Sequence, residues 1–507
     1  MHVMPAVQNT YQTLIKTVRE IALLGSTGSL LGWDERVQMP PKGAEHRANQ
    51  SSLIARLCHE QFTSPQVGEM LAELEQSDLI KDPEGDAAVN VRDLRREYDR
   101  RTKVPASLVE EMSKVEVLAQ QAWVEARKKS DFPQFQPWLE KTVDLKRQEA
   151  SCIGYTDSPY NALLDIYEPH ETVGDLNGVF QELRGPLVEL IGRVIDSGRK
   201  APVDILERHY PANMQEKLAR DAAVRIGFDF DAGRLDTSVH PFCSGIGPGD
   251  TRMTTRYDES YFGDAFFGVL HETGHALYDQ GLPKQHWGTP VGEYISLGIH
   301  ESQSRMWENF VGRSRSFWEF YFRQARALLP EVMSDITLEK WYFAVNDIRP
   351  TFIRTESDEA TYNLHILLRY ELEQAILAGD LVVRDIPGAW NEKMKKYLGL
   401  TPPDDAKGCL QDIHWAGGSI GYFPTYTLGN LYAAQYFEQA RKDIGDLDAL
   451  FAQGNFRPLL DWLRKNIHQH GRRYRARDLV QRVTGQPLSA QPLLNHLKRK
   501  VQDLYRV

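Results

Sequence analysis

The 507-residue chain has little cysteine, and the few cysteines it has lie far apart. Cys58, Cys152, Cys243 and Cys409 form no CxxC pair and show no disulfide-framework spacing. We therefore expect buried or inert thiols rather than a chain held together by disulfides.

The sequence also lacks long apolar runs and an excess of positive charge. No run approaches the ~20 apolar residues that span a bilayer, and the first 16 residues lack the basic-then-apolar order of a secretory signal. We therefore expect a cytoplasmic protein without a membrane partner. The net charge of -10 and the pI near 5.9 argue against a general nucleic-acid binder.

Repeats, low-complexity tracts and Ser/Gly-rich linkers are absent as well, whereas apolar residues at helical spacing are frequent. This pattern predicts a mainly α fold. The predicted helices cover 7–25, 43–60, 65–77, 106–129, 133–153, 173–196, 213–227, 316–329, 337–346, 358–378, 427–443, 456–467 and 490–504. The charged run 92–101 is expected to be a solvated helix face.

One stretch, 229–257, is rich in glycine and poor in helix formers, which predicts a short β-hairpin or small sheet. We expect one continuous unit over 1–507. It comprises a helical part over about 1–228, the hairpin, and a second helical part over about 258–507.

The segment that follows the predicted hairpin contains an HExxH motif. His271 and His275 are four residues apart on a predicted buried helix, so both imidazoles can reach one ion. Glu272 lies about 100° around the helix and can face a metal-bound water as general base. Zinc suits two imidazoles and a carboxylate with one open position. The alternative is that the two histidines are satisfied by core hydrogen bonds.

A third ligand is required, and the residue six positions after His275 is Gly281, which excludes the metzincin pattern. The candidates are Glu293, Glu301 and Glu308. Glu301 lies in a helix-like run where a buried carboxylate needs a partner. His300 is expected to have a supporting or structural role.

Beyond HExxH, several motifs occur in an order that resembles the M32 carboxypeptidases of the carboxypeptidase Taq type. They are Trp33-Asp34-Glu35 through Met39-Pro40-Pro41, His240-Pro241-Phe242, Asp250-x-Arg252-x-Thr254, His300-Glu301-Ser302-Gln303, Ile353-Arg354-x-x-Ser357-Asp358-Glu359 and Gly408-x-x-Gln411-Asp412-x-His414-Trp415. Ser357 replaces the usual alanine, and His170 stands where glycine is expected after Tyr-Glu-Pro. The resemblance covers nearly the whole chain.

The resemblance implies Glu301 as the third ligand. It also implies release of single C-terminal residues from peptides with a free C-terminus, with zinc or cobalt as the metal. The implied fold is a two-lobed, helical zincin-type metallopeptidase with a long substrate groove and the small hairpin or sheet beside the active site. Family members are usually homodimers, so a homodimer is expected.

A carboxypeptidase must bind a terminal carboxylate, and arginine suits this because its planar fork can bind both oxygens. Arg354, in the matching motif, is the candidate, whereas Arg349 is expected to be a surface cation. His414 and Trp415 could shape the substrate pocket or could be buried structural residues.

A neutral hydrogen-bond donor should help to stabilise the anionic transition state. The candidates are His240, Tyr422 and Tyr426, and for each tyrosine aromatic packing is an equally good interpretation. Asp358 and Glu359 are predicted to orient the zinc-binding histidines. Asp250 and Arg252 are predicted to hold the hairpin, whose edge could pair with an extended peptide.

Two alternatives differ from the single-residue carboxypeptidase. An oligopeptidase or dipeptidyl carboxypeptidase would share the zinc chemistry, and the groove's closed end would distinguish them. A helical interaction protein with a structural metal site would normally have four protein ligands, and the intact Glu272 argues against it. An aminopeptidase lacks support, because no amine-binding acidic signature is present.

Overall fold

A computed structural model describes residues 3–507 of the chain, and helices dominate it. Within that range the α-helices are Val3–Val37 (α1), Ala44–Phe62 (α2), Pro65–Glu75 (α3), Asp86–Lys103 (α4), Ala106–Lys129 (α5), Phe132–Ile153 (α6), Pro159–Tyr167 (α7), Val173–Asp196 (α8), Ala212–Ile226 (α9), Gly263–Gly281 (α10), Leu297–Arg305 (α11), Arg315–Leu328 (α12), Pro330–Met333 (α13), Leu338–Ala344 (α14), Thr361–Ala378 (α15), Ile386–Leu398 (α16), Pro424–Ile444 (α17), Leu447–Ala452 (α18), Arg457–Asn466 (α19), Ala476–Thr484 (α20) and Gln491–Tyr505 (α21). A π-helical segment, Met306–Gly312, continues α11.

The first helix is longer than the sequence predicts. The predicted end at residue 25 rests on a glycine, but α1 continues through Gly25, Gly28 and Gly32 to Val37. A Cβ atom at Gly28 would lie 3.3 Å from Ile54 of α2, so this glycine lets the two helices approach closely. Tertiary packing therefore overrides the low helix propensity of glycine here.

The apolar core has two parts. A small cluster, which includes Leu14, Phe62 and Leu71, joins α1 and α2 to α3 and α4, and a much larger cluster fills the rest of the molecule. None of the helices within residues 3–507 combines the length and apolar character needed to cross a membrane. All four cysteines are free, and Cys409 is buried.

The sheet has three strands, Gly233–Thr237 (β1), Cys243–Gly247 (β2) and Asp250–Thr255 (β3), in the order β1-β3-β2. The β2–β3 pair is the predicted hairpin, and β1 runs parallel to β3 on its other side. The chain continues from β3 into α10, so the sheet lies beside that helix. The prediction of a mainly α fold with a small sheet is confirmed.

The charged run in α4 is not the solvated face that its composition predicts. The side chains of Arg95, Arg96 and Arg100 are only 21%, 19% and 15% exposed. Arg96 and Arg100 both pair with Asp165, at the end of α7. This part of α4 therefore packs against α7, and the Asp165 carboxylate pairs with the charges of Arg96 and Arg100.

Asp165 also accepts a hydrogen bond from the backbone N–H of His170 at 2.7 Å. His170 has a φ of 69°, a left-handed backbone conformation that favours glycine. The turn after Tyr167-Glu168-Pro169 therefore explains why glycine is expected at this position.

Candidate metal centre

The HExxH motif lies in α10, a helix most of whose residues are buried. His271 and His275 are one turn apart, and their rings are 4.9 Å apart between centroids at 80°. Both side chains are half-buried and reach the same cleft. The helix thus presents two imidazoles at one point, as their spacing predicts.

Glu301 comes from α11, which crosses α10 and α17 at very short range. A Cβ atom at Gly274 of α10 would lie 2.5 Å from the Gln303 carbonyl oxygen. A Cβ atom at Gly429 of α17 would lie 2.4 Å from Cγ of Glu301 itself. Two glycines therefore allow the helices to close around Glu301 and bring it to the histidines.

The three side chains converge on one point. The Nε2 atoms of His271 and His275 lie 3.7 and 3.5 Å from the same oxygen, Oε2 of Glu301. Within residues 3–507, they form the one group of three or more metal-binding side chains whose ligand atoms all lie within 4.8 Å of one another. Two imidazoles and a carboxylate fit a divalent ion such as zinc, with a coordination position left for water or substrate.

Charge around the cluster acts differently on its members: it favours the ionised form of Glu301, and the carboxylates of Glu301 and Glu308 outweigh burial and raise the pKa of His271. Burial disfavours ionisation of Glu301, but Arg305 and the two histidines outweigh it and lower its pKa. Arg305 donates to Oε1 of Glu301 at 2.7 Å, which leaves Oε2 facing the histidines. Burial and the neighbouring His300 lower the pKa of His275 to about 4, so this imidazole is neutral.

A second arginine-bound carboxylate lies behind His271. Oε2 of Glu308, in the π-helical segment, is 3.0 Å from Nδ1 of His271. Burial of Glu308 is outweighed by Arg305, His271 and Arg313, which lower its pKa to about 2. An ionised Glu308 accepts the Nδ1–H of His271 and so leaves Nε2 free to ligate.

Glu272 differs from these carboxylates because it has no fixed partner. Among residues 3–507, no group donates a hydrogen bond to it, although it is buried and lines the same cleft as the cluster. Burial raises its pKa to about 7. A carboxylate in this setting can take up and release a proton near neutral pH.

The cleft above the cluster has a volume of about 830 Å³. The edge strand β2 forms one wall, and α10 and α11 form the floor. Tyr422 and Tyr426 line the cleft, and burial raises the pKa of Tyr422 to about 12, so its hydroxyl keeps its proton. Either tyrosine can donate a hydrogen bond without a charge cost.

Arg354 lies behind the ring of Tyr426, which lines the cleft. It is buried, and its guanidinium carbon lies 5.2 Å from the centre of the Tyr426 ring. Its NH2 group donates to Asp412 at 2.8 Å, and its NH1 group donates to Tyr362. Asp412 also binds Arg369, so one carboxylate balances two buried guanidinium groups.

His414 packs in the same aromatic group. Its ring lies 4.5 Å from Phe423 and 5.4 Å from Tyr422, and burial lowers its pKa to about 4. His414 does not line the cleft itself. The structure therefore places it as a neutral ring behind Tyr422 and Tyr426.

The structure does not bring His240 to the cluster. This residue is exposed in the bend before β2, and its side chain does not line the cleft, although Pro241 and Phe242 do. Arg252 and Asp250 pair at 2.8 Å, and Arg252 stacks 4.4 Å from the ring of Trp33. That contact ties β3 to α1.

The prediction that Asp358 and Glu359 orient the zinc-binding histidines is wrong. Asp358 accepts hydrogen bonds from its own loop and from Thr361, whereas Glu359 binds His496 and Lys500 of α21. These partners leave neither carboxylate bound to His271 or His275. The carboxylate that contacts Nδ1 of His271 is that of Glu308, which follows its ion-pair partner Arg305 by three residues.

Comparison with known proteins agrees with this geometry. The family model of the carboxypeptidase Taq (M32) metallopeptidases matches residues 13–501. The thermostable carboxypeptidase 1 of Thermus thermophilus is 48% identical over 98% of this chain and 99% of its own, and the carboxypeptidase 1 of Bacillus subtilis is 38% identical over 96% and 97%. The crystal structure of an M32 carboxypeptidase from Deinococcus radiodurans superimposes with a TM-score of 0.95 at 41% identity, over 98% of this chain and 100% of that one. The chain belongs to the M32 family of metallocarboxypeptidases, which are peptide-bond hydrolases that use a divalent metal.

Proposed function

We propose that this protein is a zinc carboxypeptidase that releases single residues from the C-termini of peptides, with Glu272 as general base. The observation that carries this proposal is the convergence of His271, His275 and Glu301 beside an unbonded Glu272 in one cleft. A structural zinc site would normally have four protein ligands and no free carboxylate beside it.

A divalent ion bound there supplies Lewis acidity and lowers the pKa of water from near 16 towards about 7. His271, His275 and Glu301 would hold the ion, with Glu301 as the third ligand. Zinc or cobalt suits this mixed imidazole and carboxylate set.

Glu272 moves the proton. Its carboxylate takes a proton from the attacking water and then donates it to the nitrogen of the leaving amino acid. A pKa near 7 serves both steps, because the group is a base and an acid within a narrow pH range. Tyr422 or Tyr426 donates a hydrogen bond to the carbonyl oxygen as negative charge develops on it. His240 would need to move to contribute.

Arg354 binds the terminal carboxylate in this proposal. Two guanidinium groups share the single charge of Asp412, so the pocket has one positive charge in excess. A substrate carboxylate that enters past Tyr426 would balance it. This end of the cleft thus accepts the free C-terminus, and His414 supports the aromatic wall. An oligopeptidase would not need this charge.

Metal analysis and reconstitution test the proposal. The purified protein should contain one zinc per chain by plasma mass spectrometry. Chelation should abolish the cleavage of an unblocked dipeptide, and zinc or cobalt should restore it. Full activity in metal-free protein would contradict the proposal.

We also infer one peptidase unit over 1–507 that forms a homodimer, which sedimentation equilibrium tests.

A further inference from the structure

A chain of hydrogen bonds supports His275 from behind, and it differs from the support of His271. Nδ1 of His275 lies 2.5 Å from Nδ1 of His300. Nε2 of His300 lies 3.1 Å from Oδ1 of Asp279. The two imidazole rings stack at 4.6 Å between centroids with an angle of 28°.

The positions of the protons in this chain follow from the metal site. Because Nε2 of His275 faces the metal cluster, its single proton must be on Nδ1 when it ligates as a neutral imidazole. That proton can be donated only if Nδ1 of His300 is an acceptor. His300 then carries its own proton on Nε2 and donates it to the Asp279 carboxylate.

The fold builds this arrangement from two helices. His271, His275 and Asp279 follow one another at four-residue spacing along the same face of α10. His300 immediately precedes Glu301 in α11. The same helical turn therefore supplies the ligand Glu301 and the imidazole that contacts the ligand His275. The ring of Tyr294 packs 4.8 Å from His300, and that of Tyr278 packs 5.3 Å from it.

We propose that His300 and Asp279 are positioning residues that hold His275 in the tautomer and orientation that binds the metal. This proposal rests on the metal site proposed above. His271 is held directly by the anionic Glu308, whereas His275 is held by a carboxylate that acts through a second imidazole. The two ligand histidines therefore have independent supports. Glu308 alone supports His271, whereas His300 and Asp279 together support His275.

The distinction predicts how variants combine. Loss of an outer hydrogen-bond partner typically lowers metal affinity about 10–100-fold. Asp279 acts on the metal only through His300, so its effect should disappear once His300 is absent. Glu308 acts on the other histidine, so its effect should persist. A merely structural role of His300 would not produce this pattern of coupling.

The test is a double-mutant cycle on zinc affinity, measured on the full chain by competition with a chromogenic chelator. H300A and D279A should each weaken zinc binding about 10–100-fold. D279A/H300A should bind as H300A does, whereas E308A/H300A should show the product of the two single effects. H300Q, which retains an acceptor oxygen, should be weakened less than H300A. Circular dichroism melting shows that each variant is folded.

Matched measurements separate this proposal from the metal site itself. H209A, which removes an exposed histidine, should bind zinc as the unmodified protein does. The visible spectrum of the cobalt form should change in H300A even at saturating cobalt, because the His275 ring is no longer held. Unchanged zinc affinity in H300A, or multiplicative effects of D279A and H300A, would overturn the proposed positioning role of His300 and Asp279. Unchanged zinc affinity in H275A would instead overturn the proposed metal site.

Discussion

Gly274 and Gln303 lie in direct contact where α10 and α11, the two helices that carry the candidate metal ligands, cross. A Cβ atom at Gly274 would lie 2.5 Å from the Gln303 carbonyl oxygen and 2.5 Å from Cα of Ser304. The obstructing atoms belong to backbone, which cannot move aside as a flexible side chain can. The short distance between α10 and α11 therefore requires glycine at position 274, the residue just before the second histidine of HExxH.

Replacement of Gly274 by alanine should therefore push Glu301 away from the histidines. We expect G274A to lower the free energy of unfolding by about 1–3 kcal/mol, the usual cost of overpacking, and to weaken zinc binding. Chemical denaturation and chelator competition measure the two effects.

Gly268 provides the matched control on the same helix, because a Cβ atom there meets nothing within 4 Å. G268A should stabilise the protein by about 0.5–1 kcal/mol through helix propensity alone. Equal responses of G268A and G274A would show that the helix crossing does not depend on the glycine.

Replacement of Glu272 by glutamine should separate metal binding from catalysis. The carboxylate is not among the three proposed ligands and has no hydrogen-bond partner to lose in residues 3–507, so E272Q should keep one zinc per chain and its melting temperature. We expect kcat to fall by at least about 10²–10⁴-fold, the usual contribution of a general base. Hydrolysis at an undiminished rate would remove Glu272 from the mechanism.

Arg354 should matter most for substrates with a free C-terminus. R354A is expected to lower kcat/KM by at least about 100-fold, since loss of a buried charge-assisted contact costs about 3 kcal/mol or more. C-terminally amidated peptides should lose much less.

Arg349 is the control for charge and position, because its side chain is 57% exposed and pairs with Asp347. R349A should leave both substrate classes unchanged. Equal losses for acid and amide substrates in R354A would show that Arg354 serves the fold rather than the carboxylate.

Glu168 should make stability depend on pH. It is fully buried behind the start of α11 and accepts a hydrogen bond from the Gly298 backbone N–H. Burial raises its pKa from an ordinary value of 4.5 to about 8. The folded state therefore binds the proton more tightly than the unfolded state, and its stability falls as the pH rises from about 5 to 8.

E168Q removes this titration. The free energy of unfolding of E168Q should change less between pH 5 and pH 8, with a difference from the unmodified protein of up to about 4 kcal/mol. E182Q, at an exposed position of α8, serves as the control and should follow the unmodified protein. Parallel curves for E168Q and the unmodified protein would show that Glu168 does not titrate in this range.

The sequence predicted most helices and the metal-binding motif because both depend on local spacing. His271 and His275 are brought together by one helical turn, and the apolar period of α10 indicates which way they face. The end of α1 was missed because Gly25 resembles a stop. Only the packing of α2 against Gly28 shows that the helix continues.

The partners of the ligands could not be predicted in the same way, because they depend on how helices cross. The sequence offers Glu308 as a candidate ligand, whereas the structure places its carboxylate against Nδ1 of His271. Asp279 follows His275 by four residues, and this spacing is the sequence signal that places both on one face of α10. The sequence predicts that Asp358 and Glu359 orient the zinc-binding histidines, whereas Asp358 binds its own loop and Glu359 binds α21. The parallel pairing of β1 with β3 was likewise not predicted, since only the tertiary fold brings β1 alongside the hairpin.

A mass-spectrometric time course on unblocked peptides tests the central claim most directly. The protein is incubated with a peptide and its C-terminally amidated counterpart, with zinc and then with chelator. Stepwise loss of single C-terminal residues from the unblocked peptide, abolished by chelator, is the predicted result. Release of dipeptides, internal cleavage, or loss of residues that continues in chelator would contradict the proposed zinc carboxypeptidase.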